Sequence, residues 1–428
     1  MALPGLFAMG GDGLLQQVFM VVQILSFLVL PALLLFFPKL MIWQTDRKLR
    51  STLADLEAYR NDTEALFKDQ LEEGMDQRTS EKFESLRDFK FSQPTGIDPA
   101  GLVGKLENVL DTSEQKFDRF IEQAANSEDE EKKADLNMAF KGVMGTHQIY
   151  KVTRHFRQLI KKTKMIYLVQ MVQMMMPIYR EVAESQKEAT RAFVDQAPIG
   201  DTIGPLVAAK MIESEEEELD EVAEDIVHSE EELGDQEIHV LKSSGPGARL
   251  GKYGEALEEL AENNNLDAII TVDAAAKFEG EETGSVSEGV GVMMGGPGVE
   301  KSKIEDVAVE HDIPLEGIVV KQSPPEASKP MKKEIYEAHK PAIEKVNEIV
   351  GEFDGEVAVV GVGNTCGAGD TRESVSGVHN RLRKYWEEYE EQEEEEVSYM
   401  GLMGAMPAGG DQSELRKMKD ELIWKIPR

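Results

Sequence analysis

The stretch VAVVGVGNTCGAGD, residues 357–370, indicates the fold class of the C-terminal half of this chain. It starts with apolar, mostly β-branched residues, which are typical of a buried strand. Four glycines follow from Gly361 onward, and the stretch closes on Asp370, a residue type that commonly begins a helix. A strand, a glycine-rich loop and a helix start in succession are typical of α/β folds.

Four further segments upstream have the same apolar character, and amphipathic helical stretches separate them. Continuous apolar strands that alternate with helices indicate a sheet covered on both faces. We therefore predict a Rossmann-like α/β domain with a mostly parallel sheet. The predicted strands are EIHVLK (237–242), DAIITVD (267–273), EGVGVMM (288–294), EGIVVKQ (316–322) and EVAVVGV (356–362).

Three of these strands lead into glycine-rich loops, SSGPGARLGKYG (243–254), GGPGVEK (295–301) and GVGNTCGAGD (361–370). Loops that follow parallel strands lie along one edge of a sheet, where ligands of open α/β sheets bind. Each loop also presents backbone N–H groups and a helix N-terminus, which favour an anion such as phosphate. The alternative is that the glycines only allow tight turns.

Side chains near the same edge suggest further roles. Asp273, at a strand end, suits a ribose hydroxyl or a general base, and the positive charges of Arg249 and Lys301 suit a phosphate. Cys366 is a weak candidate nucleophile, because no histidine is evidently paired with it. The predicted ligand-binding residues are Gly245, Gly247, Arg249, Gly251, Asp273, Lys277, Gly295, Gly296, Gly298, Lys301, Gly363, Asn364, Thr365, Gly367, Gly369 and Asp370.

The composition excludes some classes of protein. The formal net charge is −34 over 428 residues, which argues against nucleic-acid binding because phosphates need clustered positive charge. Two explanations remain, an acidic surface that repels partners and adaptation to a salty cytoplasm, and we favour the second. The single cysteine excludes an internal disulfide. The seven histidines have no metal-site spacing, so we predict no metal site and leave the cofactor unknown.

Residues 14–37 run for 24 positions without a charge, which is long enough to span a bilayer. Lys39, Arg47, Lys48 and Arg50 follow, whereas only Asp12 precedes the run. The positive-inside rule then places the N-terminus outside. We predict a single-pass cell-membrane protein that has the lipid bilayer as a partner and a cytoplasmic main body.

The region from about residue 45 to 200 has helical periodicity and few glycines. Within it, the basic segment 151–164 precedes the Met-rich segment 165–179. The latter has three interpretations: a buried or oligomer-interface helix, a helix on the inner leaflet, and a second membrane span. The predicted domains are 1–44 with the membrane helix, 45–200 helical, 201–235 an acidic linker, 236–396 the α/β domain, and 397–428 a flexible tail with a short amphipathic segment.

Several motifs resemble known families. GPGARLG resembles the Rossmann dinucleotide motif with its last glycine one position late, and NTCGAGD resembles the anion-hole motif of ribokinase-type sugar kinases, which would make Asp370 catalytic. That kinase family needs more α/β chain upstream than this domain has. Taken together, the membrane helix, APIGDTIGPLVAA, SSGPGARLG, IITVDAAAKFEGEETG, GGPGVEKSKIE and VVGVGNTCGAGD resemble an archaeal family catalogued only as a domain of unknown function. The resemblance implies an archaeal source, haloarchaeal in particular. It does not imply any specific activity.

The leading functional hypothesis is a membrane-anchored homo-oligomer whose α/β domain binds a phosphorylated or nucleotide-like small molecule at the glycine-rich loops. A structural membrane scaffold without a small-molecule ligand is the first alternative. The second is an enzyme that acts on a phosphorylated substrate, with Asp273 and Lys277 as the first candidate residues.

Overall fold

The computed structural model describes the backbone of residues 13–71, 75–90, 101–125, 127–234, 236–293 and 298–404. The first part of this chain is helical. Its helices are α1 (Gly13–Asp69), α2 (Gln77–Arg87), α3 (Leu102–Ala125), α4 (Glu130–Thr163) and α5 (Ile166–Val194). The predicted tail lies outside the described residues from 405 onward.

A cluster of phenylalanines forms the core of the helical region. Phe67 of α1, Phe83 of α2, Phe120 of α3 and Phe140 of α4 are all fully buried. Their rings contact one another, with the centroids of Phe120 and Phe140 4.9 Å apart. Aromatic rings bury large apolar areas, so this cluster holds four helices together.

The second part of the chain forms a seven-stranded sheet with the order β1-β2-β3-β7-β4-β6-β5. The strands are β1 (Asp220–Ala223), β2 (Ile226–Leu233), β3 (Gln236–Ser243), β4 (Leu266–Ala276), β5 (Val286–Val290), β6 (Leu315–Gln322) and β7 (Glu356–Gly361). Each of the five predicted segments overlaps a strand, although β5 begins and ends earlier than the predicted segment 288–294.

The prediction of a mostly parallel sheet is wrong. In the described part of the chain, β3–β7, β7–β4 and β4–β6 are parallel, whereas β1–β2, β2–β3 and β6–β5 are antiparallel. The physical reason is the length of the connections. A strand that runs parallel to the preceding one needs a return crossover of a dozen or more residues. Only residues 277–285 lie between β4 and β5, so β5 runs in the opposite direction and pairs antiparallel with β6.

The segment assigned to an acidic linker also forms part of this sheet. Residues 220–223 and 226–233 are β1 and β2, and the turn between them includes Asp225 in the left-handed conformation, with φ of 59°. Ile226 and Val227 at the start of β2 are buried, and its later glutamates are more exposed. The run of carboxylates masked this short apolar segment in the sequence.

Helices cover both faces of the sheet. On one face lie α6 (Ile203–Met211), α10 (Lys333–Glu337), α11 (His339–Val350) and α12 (Val378–Gly404), and on the other lie α7 (Tyr253–Asn263) and α8 (Val299–Glu310). The short helix α9 (Pro324–Ser328) follows β6 directly. This arrangement places the ends of the parallel strands β3, β7, β4 and β6 at one edge.

The two halves of the chain share a core. Ala248 and Cys366, from two of the glycine-rich loops, and Tyr385 of α12 belong to the same buried cluster as the phenylalanines. On the surface of this contact, the guanidinium of Arg191 donates two hydrogen bonds to Glu388, at 2.7 and 2.8 Å. The helical region is therefore packed against the α/β domain and not tethered by a linker.

The apolar run at residues 14–37 is not a separate helix, since α1 continues from it through charged residues to Asp69. Among the residues that the structure describes, no helix combines the length and the apolar character that crossing a bilayer requires. The predicted transmembrane helix, and with it the single-pass placement with an outside N-terminus and a cytoplasmic body, is therefore wrong.

Because no described helix could cross a bilayer, the interpretation of residues 165–179 as a second membrane span is also wrong. These residues open α5, and Val169, Val172 and Met176 on one side of it are buried against Leu49 of α1 and Ile160 of α4. The apolar residues on this side of the segment are thus explained by packing of α5 against α1 and α4. The opposite side is exposed, as the 77% exposure of Met174 shows.

We expect Phe140→Ala to lower the free energy of unfolding by about 3–5 kcal/mol, because a fully buried ring leaves a cavity. The matched control is Phe278→Ala, whose ring is 80% exposed and whose loss changes stability by less than about 0.5 kcal/mol. Urea unfolding of both variants measures the difference. Equal effects of the two substitutions would contradict the assigned core.

Candidate functional site

A cavity of about 480 Å³ lies at the carboxyl ends of β4, β6 and β7. Helix α3 of the helical region covers it with Leu110, and Leu250, Val299 and Val362 contribute further apolar surface. Volumes of roughly 300–1,000 Å³ are usual for small-molecule sites. The position agrees with the rule that ligands of open α/β sheets bind beyond the strand carboxyl ends.

Among the acidic residues that line this cavity, Asp273 lies near the carboxyl end of β4 and Asp201 lies in the 3₁₀ turn Gly200–Thr202. Asp273 is only 4% exposed. Burial raises the pKa of Asp273 well above its usual range, and the nearby charge of Asp201 raises it further. Burial likewise raises the pKa of Asp201. Each carboxyl therefore gains from a proton or from a ligand that donates hydrogen bonds.

Some buried polar atoms beside the cavity lack partners. Asp273 accepts a hydrogen bond from the N–H of Ala274 at 2.6 Å through Oδ1, but its Oδ2 has no partner among the described residues. The amide of Gln322, at the end of β6, has no partner at Oε1 or Nε2 within the part of the chain that the structure describes. Because unpaired buried polar groups are costly, these three atoms mark a place where a ligand or water would bind.

The loop that follows β7 positions Asp201. The N–H of Asn364 donates to Asp201 Oδ2 at 3.0 Å. Gly363 has φ of +141°, and a Cβ there would lie 2.1 Å from the carbonyl oxygen of Asp201. Only glycine fits this close approach. Gly363 therefore allows Asp201 to come close to the loop after β7 and to line the cavity.

Other predicted glycines are tightly packed within the loops that follow β3 and β7. A Cβ on Gly245 would lie 1.9 Å from the carbonyl oxygen of Ala368, and one on Gly367 would lie 2.3 Å from that of Gln196. A Cβ on Gly369 would meet Ser374 at 2.4 Å. These clashes show that the glycines allow the loops after β3 and β7 to pack against their neighbours.

A buried ion pair joins the same two loops. Lys242, at the end of β3, is fully buried and donates to Asp370 and to the carbonyl oxygen of Ser243. Asp370 also accepts from the N–H of Gly245 at 2.7 Å. Asp370 does not begin a helix, since the 3₁₀ helix Ser374–Gly377 and then α12 from Val378 start further along the chain.

Contacts with α4 engage the rest of the loop after β3. The guanidinium of Arg249 pairs with Glu131 at 2.7 Å and with Asp225 at 3.2 Å, and the N–H of Gly247 donates to Glu131. The hydroxyl of Thr365 donates to the carbonyl oxygen of Gly247 at 2.6 Å. These pairings neutralise the charge that was predicted to bind phosphate.

The remaining predicted residues are dispersed. Gly251 and Gly298 line the cavity, whereas Lys277 donates to Thr283 at 2.7 Å and Lys301 pairs with Glu305 at 3.6 Å. Gly295 and Gly296 lie outside the described residues. The structure therefore does not place Lys277 with Asp273 in the cavity.

The glycine-rich loops of the sequence did not point to Asp201 or Gln322, two of the residues that line the cavity. Asp201 comes from a segment that was assigned to the linker, and Gln322 was treated only as the last residue of a predicted strand. The signal that points to Gln322 is its position, since it ends a parallel strand beside β4. Asp201 has a weaker signal, the glycine before it in APIGDTIGPL.

We expect Gly367→Ala to lower the free energy of unfolding by roughly 2–4 kcal/mol, because the residue has φ of +66° and no room for a Cβ. Gly377→Ala is the matched control, with nothing within 4 Å of the added atom. Thermal and urea unfolding measure both variants. A neutral Gly367→Ala would show that the loop is not packed as described.

The pH dependence of stability tests the burial of Asp135 of α4, which accepts a hydrogen bond from the N–H of Ala248 in the loop after β3. Burial raises its pKa to about 7, whereas an unfolded aspartate titrates near about 3.9. The folded chain therefore holds a proton that the unfolded chain releases between these values, so this group's contribution to stability falls as pH rises through that window. We expect Asp135→Asn to lose less stability than the wild type between about pH 4 and pH 7, as measured by urea unfolding. Parallel pH profiles would contradict the assignment.

Comparison with known proteins shows the family. No curated protein and no solved structure matches the chain. Two family models do match. Residues 23–196 match the N-terminal domain of a protein of unknown function, DUF1512, and residues 199–369 match the DUF1512 C-terminal domain of unknown function. The two matches together span most of the chain, which therefore belongs to the DUF1512 family.

Proposed function

We propose that the α/β domain binds a small nucleoside-like molecule in the cavity at the carboxyl ends of β4, β6 and β7. The observation that carries this proposal is the group of unpaired buried atoms, Asp273 Oδ2 and both amide atoms of Gln322, beside an apolar cavity. An apolar ring with hydroxyl groups complements both features. A nucleoside-like ligand is a narrower class than the phosphorylated or nucleotide-like ligand that the sequence predicted.

The carboxyl groups determine which part of such a ligand would lie where. Asp273 and Asp201 accept hydrogen bonds when ionised, and ribose hydroxyls are donors of the kind that acidic residues at strand ends bind. The amide of Gln322 offers one donor and one acceptor, which suits a base edge that presents both. Apolar contacts from Leu110, Leu250 and Val299 would cover the ring.

The electrostatic environment favours a neutral or cationic ligand over a free phosphate. Among the described residues that line the cavity, Glu107, Asp111, Asp201, Asp273 and Glu300 are acidic and Lys252 is basic. Lys252 already pairs with Asp111 at 2.7 Å. The N-termini of α7 and α8 are the features here that would favour an anion. A phosphate group would gain little from this combination.

The test uses adenosine, guanosine and their 5′-monophosphates with the full chain, and isothermal calorimetry measures binding. We expect a nucleoside to bind, and Asp273→Ala to weaken it at least tenfold. Asp267→Ala, at the opposite end of β4, should bind as the wild type does. Failure of both nucleosides to bind would refute the nucleoside-like ligand, and monophosphates that bind tenfold more tightly would restore the phosphate prediction.

A second variant keeps the test valid if Asp273→Ala does not fold. Leu250 is 51% exposed at the cavity, so Leu250→Trp fills the opening without disturbing the buried carboxyls. Its matched control is Val309→Trp on α8, where the native side chain is 80% exposed and does not line the cavity. Unchanged nucleoside binding by Leu250→Trp would place the site elsewhere.

Homo-oligomerisation stays a prediction. The apolar side chains of α5 that an interface would cover are Tyr167, Met174 and Ile178, which are more than half exposed. Light scattering of the purified chain measures the subunit number, and Met174→Glu should lower it if this face is the interface. A monomeric wild-type chain would contradict the prediction.

A further inference from the structure

Two histidines meet in the antiparallel pair β2–β3, at some distance along the sheet from the cavity. His228 of β2 and His239 of β3 are 8% and 1% exposed. The Nε2 atom of His228 lies 3.1 Å from the Nδ1 atom of His239. Glu230 is the direct cross-strand partner of His239 and lies two residues from His228, so all three side chains share one face of the sheet.

A second observation concerns the other nitrogen of His239. Its Nε2 faces Oε2 of Glu356, the first residue of β7, at 3.5 Å. Both atoms are buried, and neither has a hydrogen-bond partner among the described residues. A carboxylate beside Nε2 favours the tautomer of His239 that carries its proton there, which leaves the lone pair on Nδ1, the nitrogen that faces His228.

We propose that His228, Glu230 and His239 form a binding site for a divalent transition-metal ion, Zn²⁺ in particular. One ligand atom from each residue lies within 4.8 Å of the others. Two nitrogens bound to one tetrahedral zinc ion at about 2.0–2.1 Å would be roughly 3.3 Å apart. The observed 3.1 Å separation is close to that value, so the two rings need little movement to share an ion.

Glu356 then has a defined role. A histidine that binds a metal through one nitrogen usually donates its other N–H to a carboxylate, which holds the ring in place. With His239 bound through Nδ1, its Nε2–H would donate to Glu356 Oε2. Glu356 would thus be a positioning residue and not a metal ligand.

The exposed side chain of Glu230 completes the three-residue site and leaves a fourth position open to water. Such a site would connect β2 to β3 directly and to β7 through Glu356. We therefore expect the metal to stabilise the attachment of β1 and β2 to the parallel strands. This inference is independent of the proposed nucleoside-like ligand, since no residue of the metal site lines the cavity.

The test uses the full chain without an affinity tag, stripped with a chelator and titrated with Zn²⁺ and, separately, Co²⁺. We expect one ion per chain, visible absorption typical of tetrahedral Co²⁺, and a rise in the melting temperature with Zn²⁺. His228→Ala and His239→Ala should each weaken Zn²⁺ binding at least a hundredfold. His155→Ala, on the exposed side of α4, is the matched control and should bind normally.

Substitutions at Glu230 and Glu356 keep the test decisive if the histidine variants do not fold. Glu230→Gln should weaken Zn²⁺ binding, whereas Glu232→Gln on the same strand should not. Glu356→Gln should weaken it about tenfold to a hundredfold, as loss of an outer carboxylate does. The proposal is overturned if the wild type binds less than half an equivalent of Zn²⁺, or if Glu230→Gln binds as tightly as Glu232→Gln.

Discussion

The buried contact of Lys242 with Asp370 is the interaction on which the carboxyl edge of the sheet depends. It joins the end of β3 to the loop that follows β7, and the Asp370 carboxylate also accepts a hydrogen bond from the N–H of Gly245. Removing one partner of such a pair leaves an uncompensated buried charge, which costs about 3–5 kcal/mol. The loops that carry this pair also contact α4, so the junction of the two halves depends on it as well.

The glycines of the loops were expected to bind the ligand, but in the structure they have two other roles. Gly245, Gly367 and Gly369 let the loops pack tightly against neighbouring backbone and side chains. Gly363 instead lets Asp201 reach the cavity. The glycines of these loops therefore build the framework, while Asp201, Asp273 and Gln322 are among the polar residues that line the cavity.

Apolar periodicity was sufficient to locate the strands from β3 to β7, because buried strands need continuous apolar residues whatever their direction. Strand direction was not predictable from that signal, since it depends on connection length and on which edge receives the returning chain. Asp273 was recognisable at a strand end, whereas the partner of Lys242 and the meeting of His228 with His239 depend on long-range register. The halophilic source stays a prediction.

The packing of Cys366 makes the chain's own thiol a reporter of motion between the halves. It is fully buried in the shared core, where its Sγ lies 3.3 Å from the carbonyl oxygen of Ala197, and burial raises the pKa of its thiol. A thiol reagent can reach it only when the loop and the helices separate. Because the chain has one cysteine, its alkylation rate under native conditions measures the free energy of that opening, without any engineered label.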